Sequence, residues 1–186
     1  SLTTSRGLSF PVIVLSGLIC AFFFVAGFFT VRWMVSRWSP TLKNSERLLK
    51  EGKYDEALAV ASKLEPGDGA AVDVVIGKIW LARAYERYRK EEWKSYGTDS
   101  GDWFTGSDVA KAVDHFRRAL SVEPSNPEAH YYLGIIYMEK GRHSRAESRF
   151  METLRVDREN VDARISLAAL YVKMERYGEA EKELMR

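Results

Sequence analysis

The stretch from Asn126 to Asn160, NPEAHYYLGIIYMEKGRHSRAESRFMETLRVDREN, decides how the rest of the chain is read. When Leu133 is laid on Leu167 the sequence meets itself again: Tyr137 falls on Tyr171 and Ala146 on Ala180. In the other direction the same displacement lays Ala146 on Ala112 and Phe150 on Phe116. Small and aromatic residues that return in phase at such an interval predict helical hairpins, none of which buries its apolar face without its neighbours.

The order Leu133, Gly134, Tyr137, Gly141, Ala146, Phe150, with Pro124 closing the preceding unit, resembles the tetratricopeptide repeat (TPR) family. The resemblance implies an all-α fold, a TPR-like α-solenoid over 39–186, and a scaffold rather than an enzyme. Its hairpins are expected at about 41–65, 70–124, 127–160 and 161–186. In the first, Lys50 to Ala57 forms the turn segment around Gly52, while Asn44-Ser45 replaces the Leu-Gly pair and Leu48 stands in for the tyrosine. In the second, Leu81, Ala82 and Tyr85 are read as the Leu-small-Tyr triplet, which leaves an insert of about 18 residues near 93–107. That insert carries Trp93, Trp103 and Phe104 among glycines, and insertions of this kind fall on one face of a solenoid, often a binding face. The fourth unit is incomplete, and an end of that sort is expected to be covered by further chain or by a partner, or to be disordered.

Ahead of the repeats, residues 8–31 contain no charge: LSFPVIVLSGLICAFFFVAGFFTV. The part from Pro11 to Val31 is long enough, at about 31 Å, to cross the hydrocarbon core of a bilayer as a helix. Arg32, Trp33, Arg37 and Trp38 follow at once, as in an interfacial belt. A cleaved signal peptide fits less well, because Val25-Ala26-Gly27 is a poor exit and apolar residues continue past it. Residues 1–38 are therefore expected to be a single-pass membrane anchor with its helix at about 11–31. Ser16, Gly17, Cys20, Ala21 and Gly27 give that helix a small-residue side for packing on other membrane helices. Arg6 precedes the segment, whereas Arg32, Arg37, Lys43, Arg47 and Lys50 follow it, a bias that places the repeats on the cytoplasmic side.

Composition removes several classes. Charged residues make up 29% with a formal net charge of +2, which argues against nucleic-acid binding. One cysteine, Cys20, rules out an internal disulfide and a multi-cysteine zinc site. His115, His130 and His143 form no HxxxH or HExxH pair, and Asp99, Asp102 and Asp108 lack the alternation and closing glutamate of a calcium loop. No phosphate-cradling glycine loop or nucleophile elbow is present in the sequence, so no cofactor, metal or small-molecule substrate is expected.

The resemblance also implies a concave face lined by the first helix of each hairpin. Carried over in phase with Leu133 and Leu167, its positions are Glu128, Tyr131, Ile135 and Met138, then Asp162, Ile165, Ala169 and Val172. Ile76, Ile79, Arg83 and Glu86 are the corresponding set in the second hairpin. This wall is mostly apolar and departs from family members that clamp a carboxylate with Lys and Asn. The leading expectation is a membrane-anchored, non-catalytic scaffold whose groove takes a helix of a membrane-associated protein partner. Two further readings stay open: a stable subunit held in a larger complex through its membrane helix, and an envelope assembly or quality-control factor.

Overall fold

The computed structural model describes residues 40–64, 69–94 and 106–186. Among them the chain forms eight helices: α1 Pro40–Lys50, α2 Tyr54–Ala61, α3 Ala70–Lys94, α4 Ser107–Val122, α5 Pro127–Glu139, α6 His143–Val156, α7 Val161–Lys173 and α8 Tyr177–Leu184. They pair as hairpins α1–α2, α3–α4, α5–α6 and α7–α8, each laid against the next. The expected anchor, with Ser16, Gly17, Cys20, Ala21 and Gly27, lies outside the described residues. Among those described, no helix is long and apolar enough to cross a membrane.

Three of the hairpins turn on one backbone device. The first helix ends in a left-handed residue, Gly52 (φ 73°), Gly141 (φ 64°) or Glu175 (φ 60°). The next amide then donates back to a carbonyl in the last turn: Lys53 to Leu48 (2.9 Å), Arg142 to Tyr137 (2.8 Å) and Arg176 to Tyr171 (2.8 Å). This closes the last carbonyls of the helix and reverses the chain. Between hairpins, Asn126 and Asn160 cap α5 and α7, their side chains accepting from the amides of Ala129 (3.0 Å) and Ala163 (2.9 Å).

Within a hairpin the second helix approaches closely through Ala57, Ala112, Ala146 and Ala180, which are all buried. Two hairpins go further. A Cβ added to Gly134 would stand 2.6 Å from the Phe150 ring, and one added to Gly77 would stand 2.7 Å from the Phe116 ring. Both rings are fully buried, each lying on helix backbone that carries no side chain. The core runs on from hairpin to hairpin. Tyr132 stacks on Phe116 of the preceding unit at 5.4 Å and 7°. A second cluster of Leu42, Leu48, Ala57, Ala61, Val72, Val75 and Ile79 joins the first hairpin to α3.

The pairing of Gly77 with Phe116 corrects the reading of the second hairpin. Ile76, Gly77 and Trp80, not Leu81, Ala82 and Tyr85, occupy the places of Leu133, Gly134 and Tyr137. The stretch of chain between Gly77 and Phe116 is more than twice that between Gly134 and Phe150, so this hairpin is much longer than its neighbour. Part of the extra length continues α3 itself to Lys94. The start of α4 is fixed to that extension by Asp108, which is 4% exposed, with Arg87 at 2.9 Å and Arg83 at 3.8 Å.

Two substitutions test this backbone account in urea melts. Gly134→Ala is expected to destabilise by about 1–2 kcal/mol, because the clash with Phe150 outweighs the gain in helix propensity. Glu175→Gly is expected to stabilise by about 0.5 kcal/mol, since it relieves a left-handed residue at the cost of a freer unfolded chain.

Candidate functional site

The first helices α3, α5 and α7 stand side by side, and one row of side chains crosses them. On α7 the row is Ile165, Ala169 and Val172, with Ile165 and Val172 53% and 50% exposed. On α5 Tyr131 and Ile135 are half-buried, and Tyr131 leans edge-on to Tyr132 at 5.2 Å. Met138, expected in the same row, is 9% exposed and belongs to the core.

The corrected phase changes the row on α3. Ile79 is fully buried against the first hairpin, in the cluster with Leu42 and Ala57, and so does not face an open groove. Arg83 pairs with Asp55 on α2 at 2.9 Å and lies over the Trp80 ring at 5.4 Å, an inter-helix tie away from the row. The places equivalent to Glu128, Tyr131, Ile135 and Met138 are held by Ala71, Val74, Lys78 and Leu81. Lys78 shows this directly, reaching Glu128 at 3.6 Å and lying 5.6 Å from the centre of the Tyr132 ring. Lys78 and Tyr132 are thus contributors that the sequence reading does not single out. The signal that points to them is Ile76-Gly77 followed by Trp80, which repeats Leu133-Gly134 followed by Tyr137.

At the N-terminal ends of α3 and α5, beside α1, the row opens into a basin of about 280 Å³. Its floor includes Leu42, Ala71 and Val74, and Glu46, Glu123 and Glu128 stand among its walls beside Lys43. With Asp162 exposed on α7, this end of the face is rich in carboxylates, while its centre on α5 and α7 is apolar. Burial, reinforced by Glu128, pushes the Tyr132 phenol up to about 12, so the ring stays neutral beside them. Trp93 lies in the last turn of α3, but its side chain, like Trp103 and Phe104, falls outside the described residues. Among the described residues no cluster of His, Cys, Asp or Glu gathers as a metal site.

On another side of α5, His130 is 5% exposed. Its Nε2 meets the Pro124 carbonyl at 2.9 Å and its Nδ1 meets an Arg149 nitrogen at 3.1 Å. Only the neutral ring with hydrogen on Nε2 satisfies both, since arginine cannot accept. Burial, opposed by the bond to Pro124 and aided by the Arg149 charge, holds the His130 pKa below its ordinary value.

Helical hairpins closed by a left-handed turn, with a phenyl ring seated on a bare glycine, define a TPR-like solenoid. Residues 105–141 match the model of the TPR repeat, so the resemblance read from the sequence is supported there. The fold is shared with the crystal structure of a thermophilic TPR protein of Thermus thermophilus, at 20% identity and a TM-score of 0.60 over 91% of this chain and 84% of that one. The crystal structure of MamA is similar at 18% identity and a TM-score of 0.57, over 82% of this chain and 80% of that one. No curated protein matches the sequence. The family matched is an interaction repeat, and no enzymatic family is indicated.

Because folding lowers the affinity of His130 for a proton, the unfolded chain binds more protons between the folded and unfolded pKa values. The associated stability is present above the ordinary value of 6.5 and is lost as pH falls through the lower folded value. Urea midpoints should therefore decline as pH drops below about 6.5, and His130→Gln should flatten that decline. Equal slopes for the two proteins would show that His130 is not the titrating group.

Proposed function

We propose that the protein is a membrane-anchored TPR scaffold that holds a helix of a protein partner along the row crossing α3, α5 and α7. The observation that carries this reading is the apolar run on α7: Ile165 and Val172 are half exposed with Ala169 between them, beside Tyr131 and Ile135. Exposed aliphatic side chains in one line suit an amphipathic helix, which anchors through residues one turn apart. The carboxylates Glu46, Glu123, Glu128 and Asp162 at one end favour a partner whose flanking residues are basic.

Anchoring rests on the uncharged run from Leu8 to Val31 and the aromatic and cationic residues directly after it. The charge bias across that run supports a cytoplasmic position for the repeats. An anchor confines the solenoid to the membrane surface and raises its effective concentration toward membrane-associated partners. Ser16, Gly17, Cys20, Ala21 and Gly27 supply the edge through which it packs on other membrane helices.

Two experiments bear on this reading. In alkaline extraction of native membranes the full chain should stay in the pellet; recovery in the wash would remove the anchor from the account. In purification from mild detergent at native expression, one partner should accompany the chain in fixed proportion. Ile165→Glu combined with Val172→Glu should release it, while Gly17→Leu combined with Ala21→Leu should retain it. A chain recovered alone contradicts the scaffold, and release by the membrane-helix pair alone favours a subunit held through its anchor.

A further inference from the structure

Arg47 on α1 is exposed at a place that is buried in every later first helix. Counted back from the left-handed residues Gly52, Gly141 and Glu175, it corresponds to Ile136 on α5 and Leu170 on α7. With Gly77 set on Gly134 it corresponds to Ile79 on α3. Those three are fully buried, whereas the Arg47 side chain is 66% exposed. One turn earlier, Lys43 takes the place of Val75 and Tyr132, each of which packs toward the hairpin before it. One turn later, Lys50 is exposed at the end of α1. Residues 43, 47 and 50 share one face of a helix, and Lys53 follows them in the turn. The side of α1 that a preceding hairpin would cover is thus cationic.

The carboxylates near this face offset only part of its charge. Glu51 serves two of the cations, accepting from Arg47 at 3.3 Å and lying 3.0 Å from Lys53. Asn44 also accepts from Arg47, at 2.7 Å, without adding charge. Glu56 on α2 adds its field at Lys53, and Glu46 stands at the other margin, in the wall of the basin toward α3. Toward the uncharged run the balance becomes wholly positive. From Ser1 to Ser45 the sequence has no Asp or Glu, while Arg32 and Arg37 lie between that run and α1. Eight residues, Arg32 to Ser39, separate Val31 from Pro40. They are too few to form another hairpin, and they hold the start of α1 within about 30 Å of the end of the run.

We infer that the outer face of α1 docks on anionic phospholipid headgroups, so that the solenoid rises from the bilayer with its first hairpin lowest. The docking presupposes the anchor read from residues 8–31. Lysine and arginine near a membrane surface are attracted by its negative potential, and their long stems let the charges reach the phosphates. The same positions are apolar in α3 because a hairpin lies there. On α1 they are cationic because the headgroups do. The row on α3, α5 and α7 is then carried progressively farther from the bilayer.

The test places the full chain in nanodiscs of phosphatidylglycerol or of phosphatidylcholine, each with a trace of gadolinium-chelate lipid, and follows amide relaxation by NMR. In phosphatidylglycerol the amides of Lys43, Arg47 and Lys50 should relax markedly faster than in phosphatidylcholine, and added salt should remove the difference. Lys43→Gln, Arg47→Gln and Lys50→Gln should each lower the ratio of docked to undocked chain about fivefold. Lys90→Gln, an equal loss of charge at an exposed site on the α3 extension, should leave it unchanged. Ile165→Glu with Val172→Glu should also leave it unchanged, which separates this contact from the row. A chain that does not enter the discs removes the anchor and the docking together. A chain that enters, yet relaxes equally in the two lipids or responds as much to Lys90→Gln as to Arg47→Gln, overturns the docking and leaves the anchor standing.

Discussion

A phenyl ring lying on helix backbone that has no side chain sets the spacing on which this solenoid depends. Phe150 over Gly134 and Phe116 over Gly77 bring paired helices closer than any Cβ would permit. The outer hairpins solve the same volume problem with other residues. In the first, the corresponding pair is Ser45 and Ala61, both fully buried, with the Ser45 hydroxyl donating to the Thr41 carbonyl at 3.1 Å. In the last it is Ala168 and Leu184, and there the larger side chain is 64% exposed. A bulkier residue on one helix is matched by a smaller or displaced one on the other, as close packing requires.

Once each hairpin is set, the next is placed by what remains exposed on it. The outward face of the Phe116 ring receives Tyr132, and the equivalent surface of the first hairpin receives Val75 and Ile79. Polar ties add direction to this apolar contact. Arg176 meets Glu147 at 3.0 Å and the Tyr171 hydroxyl donates to the same carboxylate at 3.0 Å, joining the last two hairpins. Burial and then that bond push the Tyr171 phenol up to about 12, so it remains a donor across the physiological range. Stacking in one sense leaves α3, α5 and α7 with a common row on one side.

Much of this architecture is legible from residue spacing. The third hairpin follows from its own pattern, and the turns at Gly52 and Gly141 from glycine near Lys-Tyr or Arg-His. The second hairpin is misplaced by its sequence because α3 offers two local matches, Ile76-Gly77 with Trp80 and Leu81-Ala82 with Tyr85. Helix periodicity cannot choose between them; contact with Phe116, on the far side of the insert, does. The same slip explains why Ile79 reads as a groove residue and is instead at the seam with the first hairpin, and why Lys78 escapes notice. Met138 is on the expected helix, but its burial depends on neighbours that the pattern of one helix does not contain.

The most direct test of the central claim is a double-mutant cycle on the second hairpin. Stability is measured for Gly77→Ala, Phe116→Leu and the pair together. If the ring sits on Gly77, the smaller leucine makes room for the added methyl, and the two changes should couple by about 1 kcal/mol or more. Effects that add within about 0.3–0.5 kcal/mol would mean that the two residues do not meet, and the stacking described above would be wrong.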